Sequence, residues 1–244
     1  MSQRRRVVIT GMGLVSPLGN DMATSWDGIV NGRSGLGPIT TFDTEGYSTK
    51  IAGEIRGFDP TAFVPPKDVK KMDSFIHYGL AASLMAMEDA GLEVTEANAE
   101  RIGAIIGAGI GGILGIEETA VKLHEGGPRK ISPFYIPSTI INMLPGQLSI
   151  MKGIKGPSFS AVSACATSNH SIGMAMRMIQ YGDADVMVAG GAERGSSPTS
   201  VGGFCSMKAM STRNDDPAAA SRPWDRDRDG FVLGDGAGIL VLEE

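Results

Sequence analysis

The sequence predicts an α/β protein in which helices cover both faces of a mostly parallel sheet. Short runs of β-branched and aliphatic residues alternate along the chain with helical patterns, as in parallel sheets joined by crossover helices. The 34 glycines cluster where predicted strands end, as tight turns between strands and helices require. With 244 residues, 42% hydrophobic and 20% charged, the chain can bury a large core in one or two domains.

The part of the chain before residue 100 contains four predicted elements. An unbroken β-branched run, stopped by glycine, predicts a buried strand. A short helix closed by Gly32 and a weakly alternating extended edge follow. A long helix has Asp73 or Ser74 as its N-cap, an apolar stripe along one face and Gly91 at its end. These elements occupy, in order, residues 6–10, 25–31, 49–55 and 73–91.

The rest of the chain adds four strands and three helices. A glycine-rich turn joins a buried strand to a helix, and a proline-punctuated loop leads to a helix interrupted at Pro145. The next strand bends sharply into its helix, and two further strands complete the predicted sheet. The strands occupy residues 101–108, 158–163, 185–190 and 238–243, and the helices occupy residues 113–125, 138–151 and 168–181.

The bend before the last of these helices carries Cys165, flanked by Ala164 and Ala166. A sulfur at a helix start lies near unpartnered backbone N–H groups, which favour the thiolate and lower the pKa of the thiol. Small neighbours leave that sulfur approachable, so the pattern predicts a covalent thiol nucleophile. The alternative is inert packing, which is the common role of a free cysteine and the one that suits Cys205, where no bend is predicted.

The helix after Cys165 is predicted to be buried on two sides. Ile172, Met176 and Ile179 form one apolar face, and Met174 and Met178 lie on others. Helices that are apolar nearly all round are usually buried. We therefore expect something beyond the chain's own sheet to cover this helix.

The chain has three histidines, and one of them lies near the predicted nucleophile. His170 follows Cys165 by one helical turn and could reach the neighbourhood of the thiol, although along the helix it is expected to point away from the sulfur. His77 lies in the middle of a helix, and His124 lies near a helix end, where a cation suits the helix dipole.

Two glycine patterns imitate dinucleotide-binding loops. Residues 107–112 match G-x-G-x-x-G between a strand and a helix, but such a site also needs a carboxylate about 20 residues further on, at the end of the next strand. Residues 130–133 provide neither a strand nor a carboxylate there. Residues 11–16 lack the third glycine. Both patterns are better explained as tight turns, and the first as a turn that allows close helix packing.

The aspartates of residues 225–230 imitate the first half of a calcium-binding EF-hand loop. The twelfth position of such a loop needs a bidentate glutamate, and here it is Gly236. Predicted strand, not helix, flanks the pattern. We therefore expect these aspartates to pair with the interleaved arginines or with neighbouring main chain, and we expect no metal site.

Charge and cysteine use indicate a soluble cytoplasmic protein. The net charge of −5 excludes a generic nucleic-acid binder, and two cysteines 40 residues apart suit a reducing compartment. Gly11 and Gly13 break the apolar run that follows the basic start, so a signal peptide is not expected. Prolines within the uncharged run 131–151 argue against a membrane span.

Four stretches of the sequence together match one known family. They are SACATSNHSIGMA around Cys165, RVVITGMGLVSPLGN at 6–20, MVAGGAE at 187–193 and STRNDDPAAASRPWDRDRDGFVLGDGAGILVLEE at 211–244. These stretches resemble the β-ketoacyl-acyl-carrier-protein synthases, and most of all the elongating members of bacterial fatty acid synthesis. The resemblance covers all 244 residues and implies a homodimer with the thiolase fold. That fold stacks two βαβαβαββ halves into a five-layer sandwich. Residues 1–244 would be the first half, a five-stranded mixed sheet flanked by helices.

The resemblance also implies the chemistry. Cys165 matches the nucleophile that takes an acyl chain from the phosphopantetheine arm of acyl carrier protein. Malonyl-carrier protein then loses carbon dioxide, and the carbanion attacks the Cys165 thioester in a Claisen condensation. The main-chain N–H of Cys165 would form half of the oxyanion hole. No cofactor is expected on the chain itself, because phosphopantetheine arrives on the carrier protein.

Further residues match the acyl pocket and a docking surface of the family. Ile110 and Phe204 match the pocket lining and its gate, and Tyr135 matches an aromatic position that reaches the pocket of the partner subunit. Acyl carrier protein is acidic and docks on a basic patch in this family. The matching basic residues, which could also be ordinary surface charges, are Lys67, Lys70, Lys71, Arg129, Lys130 and Lys208.

The family's second half supplies two histidines that promote decarboxylation, a lysine, and a glycine-rich loop with a gating phenylalanine. No residue of this sequence replaces them, so we expect these 244 residues not to condense alone and to expose a large apolar surface. Two other functions stay open at this point, a non-catalytic scaffold that dimerises or holds carrier protein and a thiolase that acts on acyl-CoA. The acyl supply could also be of the polyketide type.

Overall fold

A computed structural model describes residues 4–244, and residues 1–3 of the basic start lie outside the described part. Helices cover both faces of a five-stranded sheet, and two short strands form a separate ribbon. The strands are β1 (Val8–Val15), β2 (Gly37–Pro38), β3 (Ile51–Ala52), β4 (Ile102–Gly107), β5 (Ser158–Phe159), β6 (Val186–Glu193) and β7 (Gly236–Glu243). The helices are α1 (Met22–Val30), α2 (Pro66–Val69), α3 (Ser74–Asp89), α4 (Ile113–Gly126), α5 (Tyr135–Thr139), α6 (Met143–Lys152), α7 (Thr167–Tyr181) and α8 (Pro198–Ser206).

The sheet is mixed, with strand order β1-β7-β6-β4-β5. Strand β4 pairs in parallel with β5 and β6, whereas β7 pairs in antiparallel fashion with both β6 and β1. The expectation of a mostly parallel sheet from strand and helix alternation is therefore wrong for half of the pairings. The long connection from β6 to β7 contains α8 and loops that return the chain in the opposite direction, which alternation alone does not reveal.

Helix α3 covers one face of the sheet, where it packs on β1, β6 and β7 beside α6. It is buried on nearly every side, and Phe75, Ile76 and Leu80 are fully buried within the largest core cluster. Its boundaries match the prediction, because Asp73 accepts a hydrogen bond from the N–H of Phe75 as its N-cap and Gly91 has a φ of +61° beyond its end.

Helix α7 covers the opposite face, where it contacts β4, β6 and β7. Ser171, Ala175 and Ile179 on one side of the helix are buried, and the last two pack in a second core cluster. The outer side is mixed, with Met174 and Met176 41% and 39% exposed beside polar residues. The outer side is less apolar than expected, and the expectation that something beyond the chain's own sheet covers it stays a prediction.

Several predicted boundaries differ from the structure, including those of β3 and β7, which were expected at 49–55 and 238–243. Strand β1 runs on through Gly11 and Gly13 instead of stopping at glycine, and β5 has only two residues. Helix α1 begins at Met22, because the side chain of Asp21 caps it by accepting from the N–H of Thr24. Strand β6 extends beyond residue 190 to Glu193.

The helix predicted over residues 138–151 is two helices, and the interruption is not at Pro145. The chain leaves α5 at Ile140, whose backbone is extended, and α6 begins at Met143. Pro145 then falls in the first turn of α6, where its missing N–H would have had no helical acceptor. Helix α8 was not predicted, although Ser197 caps it and Pro198 is its first residue.

Ion pairs join both ends of the described chain to the N-terminal ends of β4 and β6. The carboxylate of Asp185 accepts hydrogen bonds from Arg101 and Arg5, both at 2.7 Å, and Arg5 also pairs with Glu244 at 2.9 Å. The Arg101 and Arg5 guanidinium groups lower the pKa of Asp185 to about 2. No helix in residues 4–244 has both the length and the hydropathy needed to cross a bilayer.

Candidate active site

Cys165 lies in a single 3-10 turn, residues Ala164–Ala166, that leads directly into α7. Ala164 has a φ of +52°, a left-handed conformation that non-glycine residues rarely adopt, and this produces the predicted bend. The N–H of Ala166 donates to the carbonyl of Ser163 at 3.2 Å. Within residues 4–244 the N–H of Cys165 has no acceptor, and the residue is exposed. The bend therefore presents both the thiol and a free N–H to an incoming group.

A cavity of about 470 Å³ opens beside Cys165 at the C-terminal ends of β4 and β6. Ile110 and Phe204 both line it, so the structure brings together three of the residues that the sequence singled out. The ring of Phe204 packs edge-to-face on Phe231, with centroids 5.2 Å apart. Much of the remaining wall consists of small residues, which leave the space open: Gly107, Ala108, Gly109, Ala164, Gly191, Ala192, Gly195 and Gly234.

The glycine pattern between β4 and α4 holds a carboxylate. Glu193, at the end of β6, accepts hydrogen bonds from the N–H groups of Gly109, Ile110 and Gly111 at 2.6, 2.8 and 2.9 Å. Burial raises the pKa of Glu193, and the three N–H groups oppose that rise. The dinucleotide interpretation is therefore excluded for the turn as it stands, because its amides are taken by a side chain of the chain itself.

A second buried carboxylate, Asp235, also lines the cavity. It accepts hydrogen bonds from the N–H and the hydroxyl of Ser196. Burial raises the pKa of Asp235, and the nearby charge of Arg194 acts against it. Neither Glu193 nor Asp235 is predicted as a site residue from sequence, because nothing in their local pattern shows that two positions 42 residues apart reach one cavity.

His170 does not contact the thiol. Its Nδ1 forms a hydrogen bond of 2.5 Å with the hydroxyl of Ser163, which lies two residues before Cys165. His77 is buried and its Nε2 bonds the carbonyl of Val69, while burial lowers the pKa of this imidazole. His124 lies in the last turn of α4. Within residues 4–244, no histidine lines the cavity beside Cys165.

Cys205 is a half-buried residue of α8 that packs against a small cluster with Ile39 and Val201. It does not line the cavity. Burial acts to raise the pKa of its thiol, but hydrogen bonds from Ser48 and Thr49 more than offset this and lower it. The structural role expected for Cys205 agrees with this position.

Tyr135 lies outside the cavity, as the first residue of α5. Its carbonyl accepts hydrogen bonds from the hydroxyls of Ser138 and Thr139 at 2.8 and 3.0 Å. It is therefore anchored through its backbone, and its ring is half-buried. Within one chain it is not part of the pocket that Ile110 and Phe204 line.

The basic residues matched to a docking patch lie in three segments. Lys67, Lys70 and Lys71 belong to or follow α2, Arg129 and Lys130 form part of a 3-10 turn after α4, and Lys208 follows α8. The ammonium of Lys71 lies 5.3 Å from the ring centroid of Phe134, which joins the first two segments. Lys71 is also paired with Asp68 at 2.6 Å, whereas the other five are exposed.

The acidic loop at 225–230 forms internal ion pairs, as expected. Arg222 donates to Asp225 at 2.8 Å and Arg226 to Asp227 at 3.2 Å. Asp229 accepts from the N–H of Thr212 at 3.0 Å. Residues 4–244 contain no group of three or more His, Cys, Asp or Glu side chains arranged to hold a metal ion.

A family model for the β-ketoacyl synthase N-terminal domain matches residues 4–244. The chain is 58% identical over 241 residues to the 3-oxoacyl-[acyl-carrier-protein] synthase 2 of Vibrio cholerae. It is 46% identical over 243 residues to the protein of the same name from Staphylococcus aureus strain COL. These alignments cover 99% and 100% of this chain but 58% of each relative, so the chain spans little more than half their length.

Solved structures show the same fold. A β-ketoacyl synthase from Burkholderia phymatum matches with a TM-score of 0.89 at 33% identity, over 99% of this chain and 59% of that one. A type II PKS ketosynthase, solved in complex with its acyl-carrier protein, matches with a TM-score of 0.82 at 30% identity and the same coverage. The thiolase-like fold expected from the resemblance, with a mixed sheet and flanking helices, is confirmed.

Proposed function

Because this chain belongs to the β-ketoacyl synthase family, as its N-terminal domain, we propose that it carries the acyl-transfer nucleophile of a condensing enzyme of fatty acid elongation. The observation that carries the proposal is the exposed thiol of Cys165 at a cavity lined by Ile110 and Phe204. The names of the relatives, 3-oxoacyl-[acyl-carrier-protein] synthase 2, support the same reaction class.

In the first half-reaction the sulfur of Cys165 attacks the thioester carbonyl of acyl-carrier protein. The carbon–sulfur bond to phosphopantetheine breaks, the free phosphopantetheine thiol leaves with the carrier, and the acyl chain remains on Cys165. The unpartnered N–H of Cys165 can donate to the oxyanion of the tetrahedral intermediate. The apolar walls near Ile110 and Phe204 suit an alkyl chain, whose burial is favourable by roughly 0.8 kcal/mol per CH₂.

In the second half-reaction malonyl-carrier protein loses carbon dioxide, and the resulting carbanion attacks the Cys165 thioester. The Cys165 sulfur is released as the leaving group, and 3-oxoacyl-carrier protein is formed. This chemistry needs no cofactor on the chain, because phosphopantetheine is supplied by the carrier protein. The groups expected to promote decarboxylation lie beyond residues 1–244, which we propose form one domain of the longer protein. Only acylation is therefore expected from these residues alone.

The test is to mix the 244-residue chain with acyl-carrier protein and malonyl-carrier protein and to follow both steps by mass spectrometry. We expect an acyl adduct on the peptide that contains Cys165, none on the peptide that contains Cys205, and no 3-oxoacyl product. Sustained condensation by the pure chain would contradict the proposal that these 244 residues carry out only the acylation step. Carrier binding without any adduct would favour the scaffold function, and faster transfer from acyl-CoA than from acyl-carrier protein would favour a thiolase.

We also propose that acyl carrier protein docks on the basic residues around α2 and the turn at Pro128–Lys130. Lys70 and Arg129 are exposed and form no ion pair within residues 4–244, so they are free to meet an acidic partner. A neighbour of the same fold was solved in complex with its acyl-carrier protein, which supports this class of partner.

Reversing these charges tests the docking surface. We expect the Lys70→Glu, Arg129→Glu double variant to raise the apparent KM for acyl-carrier protein by about tenfold or more, because rim charges act mainly on association. The rate with acyl-pantetheine, which lacks the carrier protein, should not change. Lys155→Glu is the control. Lys155 is exposed, and its N–H donates to the carbonyl of Ala99 just before β4, at the end of that strand far from Cys165. An equal effect of this control would contradict the docking surface.

A homodimer is proposed for the whole protein. Strand β5 is an edge of the sheet, and apolar side chains near it are exposed. Such a surface suits a second copy of the chain, which would also bring Tyr135 of one subunit towards the pocket of the other. The exposed apolar residues are Ile136, Ile140, Ile150 and Val162. Both cysteines are free thiols, which supports a reducing compartment such as the cytoplasm.

A further inference from the structure

The turn that carries Ile110 is held by a side chain from another strand. Gly109, Ile110 and Gly111 direct three consecutive N–H groups at the carboxylate of Glu193, with N···O distances of 2.6 to 2.9 Å. Glu193 itself is the last residue of β6, which is paired with β7 along its whole length and with β4 up to Gly191. The carboxylate is therefore fixed in place by the sheet, and its hydrogen bonds can hold the turn in position.

The turn has few other anchors of its own. Gly109 and Gly111 have no side chains to pack, and Gly111 has a φ of +79°. A Cβ atom on Gly109 would lie 2.9 Å from the carboxylate oxygen of Glu193, so the backbone approaches the carboxylate as closely as glycine allows. The next anchor, a hydrogen bond from the N–H of Gly112 to the carbonyl of Thr139 at 3.2 Å, lies at the end of the turn, just before α4.

The side chain of Ile110 lines the same cavity as Cys165 and is 42% exposed. Its position is set by the backbone of the turn, since both its neighbours are glycines that offer no side-chain packing. Any movement of the turn would move this part of the cavity wall. A carboxylate that fixes the turn therefore also fixes the shape of the space into which a Cys165-bound group extends.

We propose that Glu193 is a positioning residue that holds Ile110 in the cavity wall and thereby limits the length of the acyl chain accepted at Cys165. The proposal rests on the acyl-transfer function proposed above. Only an acceptor can serve three N–H donors at once. Glutamine at this position would direct an NH₂ donor at one or more of them. The substitution therefore keeps the size of the side chain but removes the acceptor that holds the turn.

The experiment uses the full-length protein that contains this chain and compares wild type, Glu193→Gln, Ile110→Ala and the double variant. The first readout is amide hydrogen exchange of residues 107–112, which we expect to become faster in Glu193→Gln while the exchange of α3 is unchanged. The second is the ratio of Cys165 acylation rates for long and short acyl chains. We expect this ratio to rise by about tenfold in Glu193→Gln, a change typical of one added or removed methylene in a pocket.

The double variant separates a positioning role from a general structural one. If Glu193 acts through Ile110, then Ile110→Ala should broaden chain-length acceptance by a similar factor, and adding Glu193→Gln should change it little further. Additive effects, or an equal loss of rate for every chain length, would overturn the proposal. A wild-type protein that is never acylated would overturn the proposed function and the chain-length role with it, while hydrogen exchange would still show whether Glu193 holds the turn.

Discussion

Replacing Cys165 by alanine should lower the rate of acyl transfer from carrier protein by about 10⁴-fold or more, which is the scale for removal of a covalent nucleophile. In the proposed function the sulfur is the atom that binds the acyl chain, and no other thiol or histidine of residues 4–244 lies at the cavity. The measurement is the rate of adduct formation, followed by mass spectrometry of the intact protein with acyl-carrier protein as donor.

Cys205→Ala is the matched control, because it removes the second thiol without touching the cavity. It should leave the acylation rate within about twofold of wild type, as expected for a change that removes no transition-state interaction. Cys165 is exposed and flanked by alanines, so Cys165→Ala should change the free energy of unfolding by no more than about 0.5 kcal/mol. An adduct that still forms rapidly in Cys165→Ala, on any residue, would refute the assignment of the nucleophile.

The bend that presents Cys165 could be predicted from sequence because its signals are local. A bend, a cysteine and the start of a helix lie within a few residues, and the structure places them as expected, with Ala164 in a left-handed conformation before Cys165. The long helix α3 was equally predictable, since Asp73 and Gly91 mark its ends within the pattern itself. The cavity residues Ile110, on the turn after β4, and Phe204, on α8, came from the family resemblance and not from any periodicity.

The partner of the glycine turn could not be predicted in this way. A dinucleotide site would have a carboxylate about 20 residues after a glycine pattern such as that at 107–112. The carboxylate that its amides bind is Glu193, 82 to 84 residues away in sequence. The two meet only because β4 and β6 are parallel neighbours in the sheet, with Gly107 opposite Gly191. Strand neighbours that are distant in sequence leave no mark in a local pattern.

The end of the first strand was mispredicted for a related reason. Glycine in a strand commonly weakens it, so the sequence predicts that the strand ends at Gly11. In the structure Gly11 and Gly13 lie within β1 and face α3, and their lack of a side chain lets the helix backbone approach the strand. Ala82 and Ala86 provide the small surface of α3 at this contact. Tertiary packing, not local propensity, therefore explains both glycines.

Gly13→Ala should be the most destabilising single methyl group that can be added to this strand. A Cβ atom there would lie 1.9 Å from the carbonyl oxygen of Ala82 and 2.8 Å from the backbone nitrogen of Ala86. Both are backbone atoms of fully buried residues of α3, so no side-chain rotation relieves the overlap. We expect a loss of about 3 kcal/mol or more in the free energy of unfolding, at the upper end of overpacking costs.

Denaturant unfolding of the full-length protein measures this effect, with the soluble yield as a second readout if the variant does not fold. The matched control is Gly203→Ala, which also adds one methyl group but does so on α8, where a Cβ atom would meet nothing within 4 Å. Alanine has the higher helix propensity, so the control should be neutral or more stable by up to about 1 kcal/mol. If Gly13→Ala unfolded at the same denaturant concentration as wild type, then β1 and α3 could not be packed backbone to backbone. The order of the sheet at β1 and β7 would then need another explanation.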